Sequence, residues 1–313
     1  AAMTLLAEPP STHAGLRQAY ADARTAGAVR HRDIAAQLGV SEGELIAAHV
    51  GIRADHGRGL TARRLQGRWP ALVAALEPLG PVMALTRNAS CVHEKIGVYR
   101  DASASGPAGR EMGLVLGGEI DLRVFYRHWQ HGFAVDEVSA RGPQRSLQFF
   151  DAAGDAVHKI FVKPGTDLEA WAAFVQRHLD ADAPPGLAVQ AADEEPAERP
   201  DPQVDLPAFR EGWASLRDTH EFFGLLSRHG VSRTQALRLA DPGYAQRVES
   251  GAAREVLQAA SRDGLPIMVF VGNPGTIQIH TGPVRRVEVL GPWLNVLDPG
   301  FNLHLREDHI VQA

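Results

Sequence analysis

The chain has 313 residues, of which 44% are hydrophobic and 22% are charged, and it carries a net charge of −5. This composition is ordinary for a globular protein of one or two domains, and the acidic balance argues against specific nucleic-acid binding. Cys91 is the only cysteine, which excludes an intramolecular disulfide and is typical of a reducing compartment. The apolar runs are too short for a membrane helix and the N-terminus lacks a secretory signal pattern, so we expect a cytoplasmic protein without membrane insertion.

The predicted elements begin with helices and continue with short apolar strands. In chain order they are helices at residues 11–26, 30–51 and 70–79 and strands at 81–88, 91–99 and 117–129. Residues 146–162 read as a hairpin around a glycine-containing turn at 151–155. Residues 167–179 have the pattern of an amphipathic helix with Asp167 as its N-cap.

The same order of elements then recurs. LGVSEGEL at residues 38–45 parallels HGVSRTQAL at 229–237, and PVMALTRN at 81–88 parallels PIMVFVGN at 266–273. Helices grouped before runs of short strands predict an α+β fold with antiparallel sheets, rather than an alternating βαβ fold.

We therefore predict two tandem repeats, each an antiparallel sheet with flanking helices. The first covers residues 1–180, a linker rich in proline and acidic residues covers 181–207, and the second covers 208–313. The alignment of the repeats pairs Arg123 with His304. The hairpin and last helix of the first repeat have no counterpart in the second, so we expect the second repeat to be incomplete at its C-terminus, as in a truncated chain.

Residues 216–240, LRDTHEFFGLLSRHGVSRTQALRLA, carry the main functional signal. They set His220 at the start of an apolar helix, with Phe223 at position i+3 on the same face. A neutral imidazole beside aromatic side chains suits a flat apolar ring with a metal at its centre. A helix cap or a surface histidine is the alternative interpretation of His220.

A second function class comes from residues 33–51, DIAAQLGVSEGELIAAHVG. A helix, a glycine turn, a serine cap and a second helix are typical of helix-turn-helix DNA-binding regulators. Residues 42–50 offer few of the basic or amide side chains that read a major groove, which favours a packing role.

Two motifs resemble the HemS/ChuS/HmuS family of bacterial cytoplasmic haem-handling proteins: RDTHEFF at 217–223 and DLRVFYRHW at 121–129. The resemblance implies haem as the cofactor and His220 as its proximal iron ligand. It makes Arg123 a distal, catalytic arginine that hydrogen-bonds the ligand opposite His220. From the residues alone, Arg123 reads instead as an ion pair with Glu119 or Asp121.

The resemblance extends to further positions. It implies that Arg233 binds a haem propionate, although a solvated residue at a helix start is equally compatible with the pattern. Phe125 and Phe270 correspond to aromatic pocket positions, and His93 corresponds to a histidine at a secondary haem site. For Phe125 and Phe270, a place in the core is the plainer interpretation of the pattern.

The implied function is haem binding in a bacterial haem-uptake system. The resemblance leaves open whether the protein carries haem to degradation or opens the macrocycle oxidatively itself, so enzyme activity stays undecided. The implied partners are haem, a haem oxygenase and an inner-membrane haem ABC transporter. Family members also continue into a segment that supplies a lysine and other polar groups to the haem pocket, and this sequence contains no such segment.

Overall fold

The structure is a computed structural model, and it describes residues 12–53, 59–139, 142–192, 197–218 and 221–313. The helices of these ranges are α1 (His13–Thr25), α2 (His31–Gln37), α3 (Glu42–Ala47), α4 (Trp69–Ala74), α5 (Leu168–Arg177), α6 (Leu206–Ala214), α7 (Glu221–His229), α8 (Arg233–Leu239) and α9 (Ala252–Asp263). The strands are β1 (Leu60–Leu65), β2 (Val82–Arg87), β3 (Cys91–Gly97), β4 (Ala102–Ser105), β5 (Met112–Val115), β6 (Asp121–Phe125), β7 (His131–Ser139), β8 (Gly142–Phe150), β9 (Ala156–Val162), β10 (Pro266–Gly272), β11 (Thr276–Pro283), β12 (Val287–Leu290), β13 (Trp293–Asp298) and β14 (Phe301–Arg306).

Local sequence signals explain where several elements begin. The predicted hairpin is confirmed as β8 and β9, which pair antiparallel. The predicted helix after it is α5, and the Asp167 side chain accepts hydrogen bonds from the backbone amides of Glu169 and Ala170. Ser41 and Glu44 form a capping box at the start of α3, which satisfies amides that the helix itself cannot pair.

The fold is α+β, and its antiparallel strands form two sheets that each draw on both sequence repeats. The larger sheet has the strand order β1-β7-β8-β9-β2-β3-β14-β13-β12, and the smaller has the order β10-β11-β6-β5-β4. At the two junctions between repeats, β14 pairs with β3 and β11 pairs with β6. The repeats therefore exchange strands instead of each closing a sheet of its own.

The main hydrophobic core lies between these two sheets. Leu122 and Val124 of the smaller sheet pack in one cluster with Leu147, Phe149 and Ile160 of the larger sheet. A second cluster packs α1, α2 and α3 against another part of the larger sheet. Because the first cluster contains residues of both sheets, the two sheets lie in a single compact unit.

Contact density divides the chain into two units. The first combines the described residues of Ala1–Ala192 with Leu257–Arg306, and the second combines those of Asp193–Val256 with Glu307–Ala313. The division after Ala192 falls inside the predicted linker. The strands of the second sequence repeat nevertheless belong to the first compact unit, so repeat order and compactness divide the chain differently.

The segment with a helix-turn-helix pattern forms α2 and α3, and it packs inside the first unit. Leu45, Ile46 and Ala47 of α3 are fully buried, and Glu42 and Gly43 at its start are buried as well. A recognition helix must expose its side chains to a DNA groove, so the burial of α3 removes the structural basis for the DNA-binding alternative. Across the described ranges, every helix is too short or too polar to span a bilayer.

Candidate functional site

The outer face of the smaller sheet is the surface on which several predicted site residues meet. Along β6, Leu122 and Val124 point into the core, so the alternating residues Asp121, Arg123 and Phe125 lie on the opposite face. We call that surface the outer face. The strand pattern thus places the predicted arginine and one predicted aromatic residue side by side.

Strand register shows what surrounds them. Ile277 of β11 and Leu114 of β5 lie directly opposite Arg123, on the same face of the sheet. One strand further, Phe270 of β10 lies opposite Ile279, which in turn lies opposite Asp121.

The outer face is apolar, and it is exposed toward its two ends, although Ile279 of β11 is buried. Phe270 is 59% exposed and its strand neighbour Met268 is 54% exposed, while Met112 at the other end of the face is 39% exposed. Exposed apolar patches of this kind mark ligand or partner surfaces, because a soluble protein otherwise buries them. Sequence reasoning found Phe125 and Phe270 but missed the methionines, which only the register places here.

Arg123 is the cation on this apolar face. Its Nη1 donates to an oxygen of Asp121 in an ion pair and to the carbonyl of Leu122 at 3.2 Å. The side chain keeps 31% of its exposure. A guanidinium has five N–H donors, and both recorded bonds use the same nitrogen, so Nε and Nη2 can serve a ligand. The ion pair with Asp121, which the residues alone suggested, therefore coexists with a capacity to bind a ligand.

The second compact unit holds the other predicted residues. Helices α6, α7 and α8 close around a small core centred on Phe209 and Leu225. Phe223, on the first turn of α7, is 77% exposed. Arg233 begins α8, and its guanidinium carbon lies 5.6 Å from the ring centroid of Phe222. His220 lies outside the described residues.

His93 occupies a different environment from the outer face. It is fully buried on β3, its Nδ1 lies 2.9 Å from Nε2 of Gln278, and its ring centroid lies 4.9 Å from that of Phe301. Burial, together with the nearby His280 and Lys95, lowers the pKa of His93 to about 3. It therefore has the position of a neutral core histidine.

Gln278 extends this contact into a buried polar chain between the two sheets. Its Oε1 accepts from Thr86 Oγ1 at 2.8 Å, and the same Thr86 oxygen lies 2.9 Å from Nδ1 of His158. Nε2 of His158 then reaches the hydroxyl of Tyr99 at 2.5 Å. This hydrogen-bonded series runs through Tyr99, His158, Thr86, Gln278 and His93. Each member forms a hydrogen bond with a buried polar group that water cannot reach, so the series fixes the register of the strands behind Arg123.

Known proteins share the sequence pattern and the fold of this chain. A profile of the family described as "Haemin-degrading HemS.ChuX domain" matches residues 39–178 and 230–313. The chain is 36% identical over 303 residues to the hemin transport protein HmuS of Yersinia pestis, covering 96% of this chain and 84% of the relative.

Two solved structures share the fold over most of their length. The holo form of PhuS, a heme-binding protein from Pseudomonas aeruginosa, has a TM-score of 0.90 and 48% identity, over 96% of this chain and 84% of PhuS. The heme-degrading enzyme ChuS of Escherichia coli O157:H7 has a TM-score of 0.84 and 34% identity over the same shares. The chain therefore belongs to the haemin-degrading HemS.ChuX family.

Proposed function

We propose that this protein binds haem in the cytoplasm as part of a bacterial haem-uptake system. The observation that carries the proposal is the outer face, where the guanidinium of Arg123 lies among apolar side chains that are half-buried beside it and exposed toward the ends of the face. A porphyrin is a large flat apolar ring, so it fits a flat strand surface that is apolar and exposed. The haem-binding relative PhuS, at 48% identity, supports the choice of ligand.

Each residue has a distinct task in this proposal. His220 is the proximal iron ligand, because a neutral imidazole nitrogen is a common haem donor. Phe125, Phe270 and Phe223 contact the macrocycle. Arg233 binds a propionate, for which a planar guanidinium is the matching donor. His93, enclosed between the sheets, has no part in this proposal.

Arg123 acts on the distal side of the macrocycle. Its unused Nε and Nη2 groups donate hydrogen bonds, and a bound macrocycle would strengthen those bonds by displacing water from the apolar surface around them. Asp121 holds the guanidinium on the outer face and moderates its charge. Haem supplies the iron and the oxidisable ring; the protein supplies ligation, orientation and this distal donor.

The same complex serves either of two outcomes. In one, the protein passes haem to a haem oxygenase after an inner-membrane ABC transporter delivers it. In the other, the protein degrades haem itself, as the name of ChuS describes for that relative. Loading with hemin under argon, followed by reductant and air, separates them. Loss of the Soret band with release of iron indicates degradation, and an unchanged band indicates a carrier.

The proposal itself is tested by titrating the full chain with hemin and recording the absorption spectrum. His220→Ala is expected to change the ligation spectrum and to weaken binding at least about tenfold, since the second-best donor must replace a strong one. His229→Ala, on the last residue of α7, is the matched control and keeps the wild-type spectrum. Wild-type spectrum and affinity in His220→Ala would show that another residue binds the iron.

A further inference from the structure

Tyr99 and His158 form a hydrogen-bonded pair at one end of the buried polar series between the two sheets. The tyrosine hydroxyl lies 2.5 Å from Nε2 of the imidazole, and each residue is only 1% exposed. A plain phenyl ring would fill the same space without a polar group that needs a partner. The pair therefore sets a tyrosine and an immediate proton acceptor in the core, which packing alone does not require.

One backbone carbonyl fixes the direction of the hydrogen bonds in this series. Nε2 of Gln278 donates to the carbonyl of Ala84 at 2.9 Å, so the other end of the amide, Oε1, is an acceptor. Thr86 Oγ1 donates its single proton to that oxygen at 2.8 Å. The threonine oxygen then accepts from Nδ1–H of His158 at 2.9 Å, so Nε2 carries the lone pair and accepts from the Tyr99 hydroxyl.

Burial keeps both members of the pair neutral. It lowers the pKa of His158 to about 3 and raises the pKa of the Tyr99 hydroxyl well above its ordinary value. At neutral pH the imidazole is therefore a free base and the phenol keeps its proton. Removing an electron makes a phenol strongly acidic, so oxidation of Tyr99 would send its proton to Nε2 of His158.

Trp129 connects this pair to the outer face of the smaller sheet. Its indole stacks on the imidazole of His158, with ring centroids 5.8 Å apart and ring planes at 28°. Nε1 of Trp129 donates to the carbonyl of Gly275 at 3.0 Å, and the backbone amide of Phe125 donates to the same carbonyl at 2.9 Å. The indole is thus one hydrogen-bonded carbonyl away from a strand residue whose ring lies on the outer face.

The aromatic side chains of this cluster differ in where their protons can go. The indole N–H of Trp129 faces a backbone carbonyl, which is a poor base, so an oxidised indole keeps its proton and its charge. The hydroxyl of Tyr99 faces a free imidazole, so an oxidised Tyr99 becomes a neutral radical. Tyr126 also packs against Trp129, at 5.7 Å between ring centroids, but the described residues offer its hydroxyl no imidazole. An electron vacancy that reaches Trp129 is therefore expected to end on Tyr99.

We propose that Tyr99 is a redox-active residue, with His158 as its proton acceptor and Trp129 as its link to the outer face. The oxidant is a one-electron oxidant formed from bound haem and a peroxide, and it gains one electron. Tyr99 supplies that electron through Trp129, and its O–H bond breaks as an N–H bond forms at Nε2 of His158. The products are a neutral tyrosyl radical and an imidazolium. This step draws oxidising equivalents away from the macrocycle, and it rests on the proposed function for the source of the oxidant.

The first test uses the haem-free full chain, with photogenerated tris(bipyridine)ruthenium(III) as the one-electron oxidant. All proteins carry Tyr244→Phe, because Tyr244 is 59% exposed and would react directly. Electron paramagnetic resonance of frozen samples is expected to show a tyrosyl radical, and isotopically labelled histidine is expected to reveal its coupling to an imidazole nitrogen. Tyr99→Phe should remove this signal, and Tyr126→Phe is the matched control that keeps it.

The role of His158 has a kinetic readout. His158→Gln keeps a hydrogen-bond acceptor but no base, so it should slow radical formation at least about 100-fold, the lower end of what a positioned base contributes. The wild-type rate should fall in heavy water and be independent of buffer concentration, because the proton moves within the core. Radical formation at the wild-type rate in His158→Gln overturns the proposal. If that variant is unstable, the labelled-histidine coupling in the wild type tests the same contact.

The second test replaces the photochemical oxidant by hemin and hydrogen peroxide. The same imidazole-coupled tyrosyl radical is expected, and Trp129→Phe should lower its yield because the link to the outer face is weakened. Tyr99→Phe should bleach bound hemin faster than Tyr126→Phe does, since the oxidising equivalents stay on the macrocycle.

The outcomes separate this inference from the proposed function. A wild type that binds hemin but forms no imidazole-coupled tyrosyl radical with peroxide overturns the link from haem to Tyr99. Absence of that radical in the photochemical test overturns the redox pair itself. A wild type that binds no hemin overturns the proposed function, and the photochemical test still decides the pair of Tyr99 and His158.

Discussion

Replacing Glu42 by Gln should strand a buried ammonium and destabilise the protein. Glu42 and Lys159 are both buried, with side-chain exposures of 5% and 9%, and they form an ion pair that Arg87 joins through the other carboxylate oxygen. Breaking a buried pair by removing one partner costs about 3–5 kcal/mol, because the remaining charge is left without compensation. We expect that loss in the free energy of unfolding of Glu42→Gln at pH 7, measured by urea denaturation.

A matched pair on the surface and a double variant complete this experiment. Asp136→Asn breaks surface ion pairs with Arg63 and Arg145, all of whose side chains are 36–48% exposed, and should cost below about 1 kcal/mol. Adding Lys159→Met to Glu42→Gln removes the stranded charge and should recover most of the loss. If Glu42→Gln costs no more than Asp136→Asn, the reasoning about this buried pair is refuted.

The same pair predicts a pH dependence. Burial raises the pKa of the Glu42 carboxyl, but the charges of Lys159 and Arg87 outweigh burial and hold the pKa at about 2. A carboxyl with a lowered pKa in the folded state adds stability above its ordinary value of 4.5. That stability is lost as the pH falls from 4.5 toward 2, and Glu42→Gln should remove this part of the acid transition.

Three other changes test separate parts of the structure. Gly154→Ala should destabilise the protein by about 1–3 kcal/mol more than Gly109→Ala, as measured in thermal melts. Both glycines have a positive φ, but only at Gly154 would an added Cβ collide with a side chain, at 2.1 Å from the Ser41 hydroxyl. Equal losses of stability in the two variants would contradict this reasoning. Burial lowers the pKa of three core histidines, so each of them binds a proton more readily in the unfolded state than in the folded state. The free energy of unfolding should therefore fall by up to about 4 kcal/mol per pH unit as the pH drops below 6.5. A free energy of unfolding that stays constant between pH 7 and 5.5 would contradict this expectation. These histidines are His49, with a pKa of about 4, and His93 and His158, each with a pKa of about 3. Asp121→Asn frees the guanidinium of Arg123, so the pH titration of the hemin spectrum should shift in the direction opposite to that of Arg123→Ala; unchanged titrations in both would remove Arg123 from the site.

Local sequence patterns predicted the positions of helices and strands better than they predicted which strands pair with each other. The hairpin of β8 and β9 and the helix α5 are confirmed because alternation, turn glycines and the Asp167 cap act over a few residues. The exchange of β11 and β14 between repeats was not predictable. An antiparallel strand reads the same whichever neighbour it pairs with, so the pattern of one strand does not say which repeat supplies its partner.

The candidate site divides in the same way. Arg123, Phe125 and Phe270 are strand residues, and once the register is known, alternation alone brings them to one face. The place of His93 depends on Gln278, a residue 185 positions away that sequence reasoning did not consider. The alignment pairs His304 with Arg123, but the 2.7 Å contact of its Nδ1 with Oδ1 of Asn295 follows from the pairing of β13 with β14, which the sequence alone does not predict.

Strand exchange also has a consequence during synthesis on the ribosome. During synthesis, the edge of β3 stays unpaired until β14 has been made, because His93 of β3 lies opposite Leu303 of β14. Translation at about 5–20 residues per second leaves that edge open for roughly 10–40 seconds, long enough to meet a neighbouring nascent chain. An unpaired edge of this kind is a template for aggregation. The protein is thus expected to depend on chaperone binding while it is made, more than a chain of two independently closing repeats would.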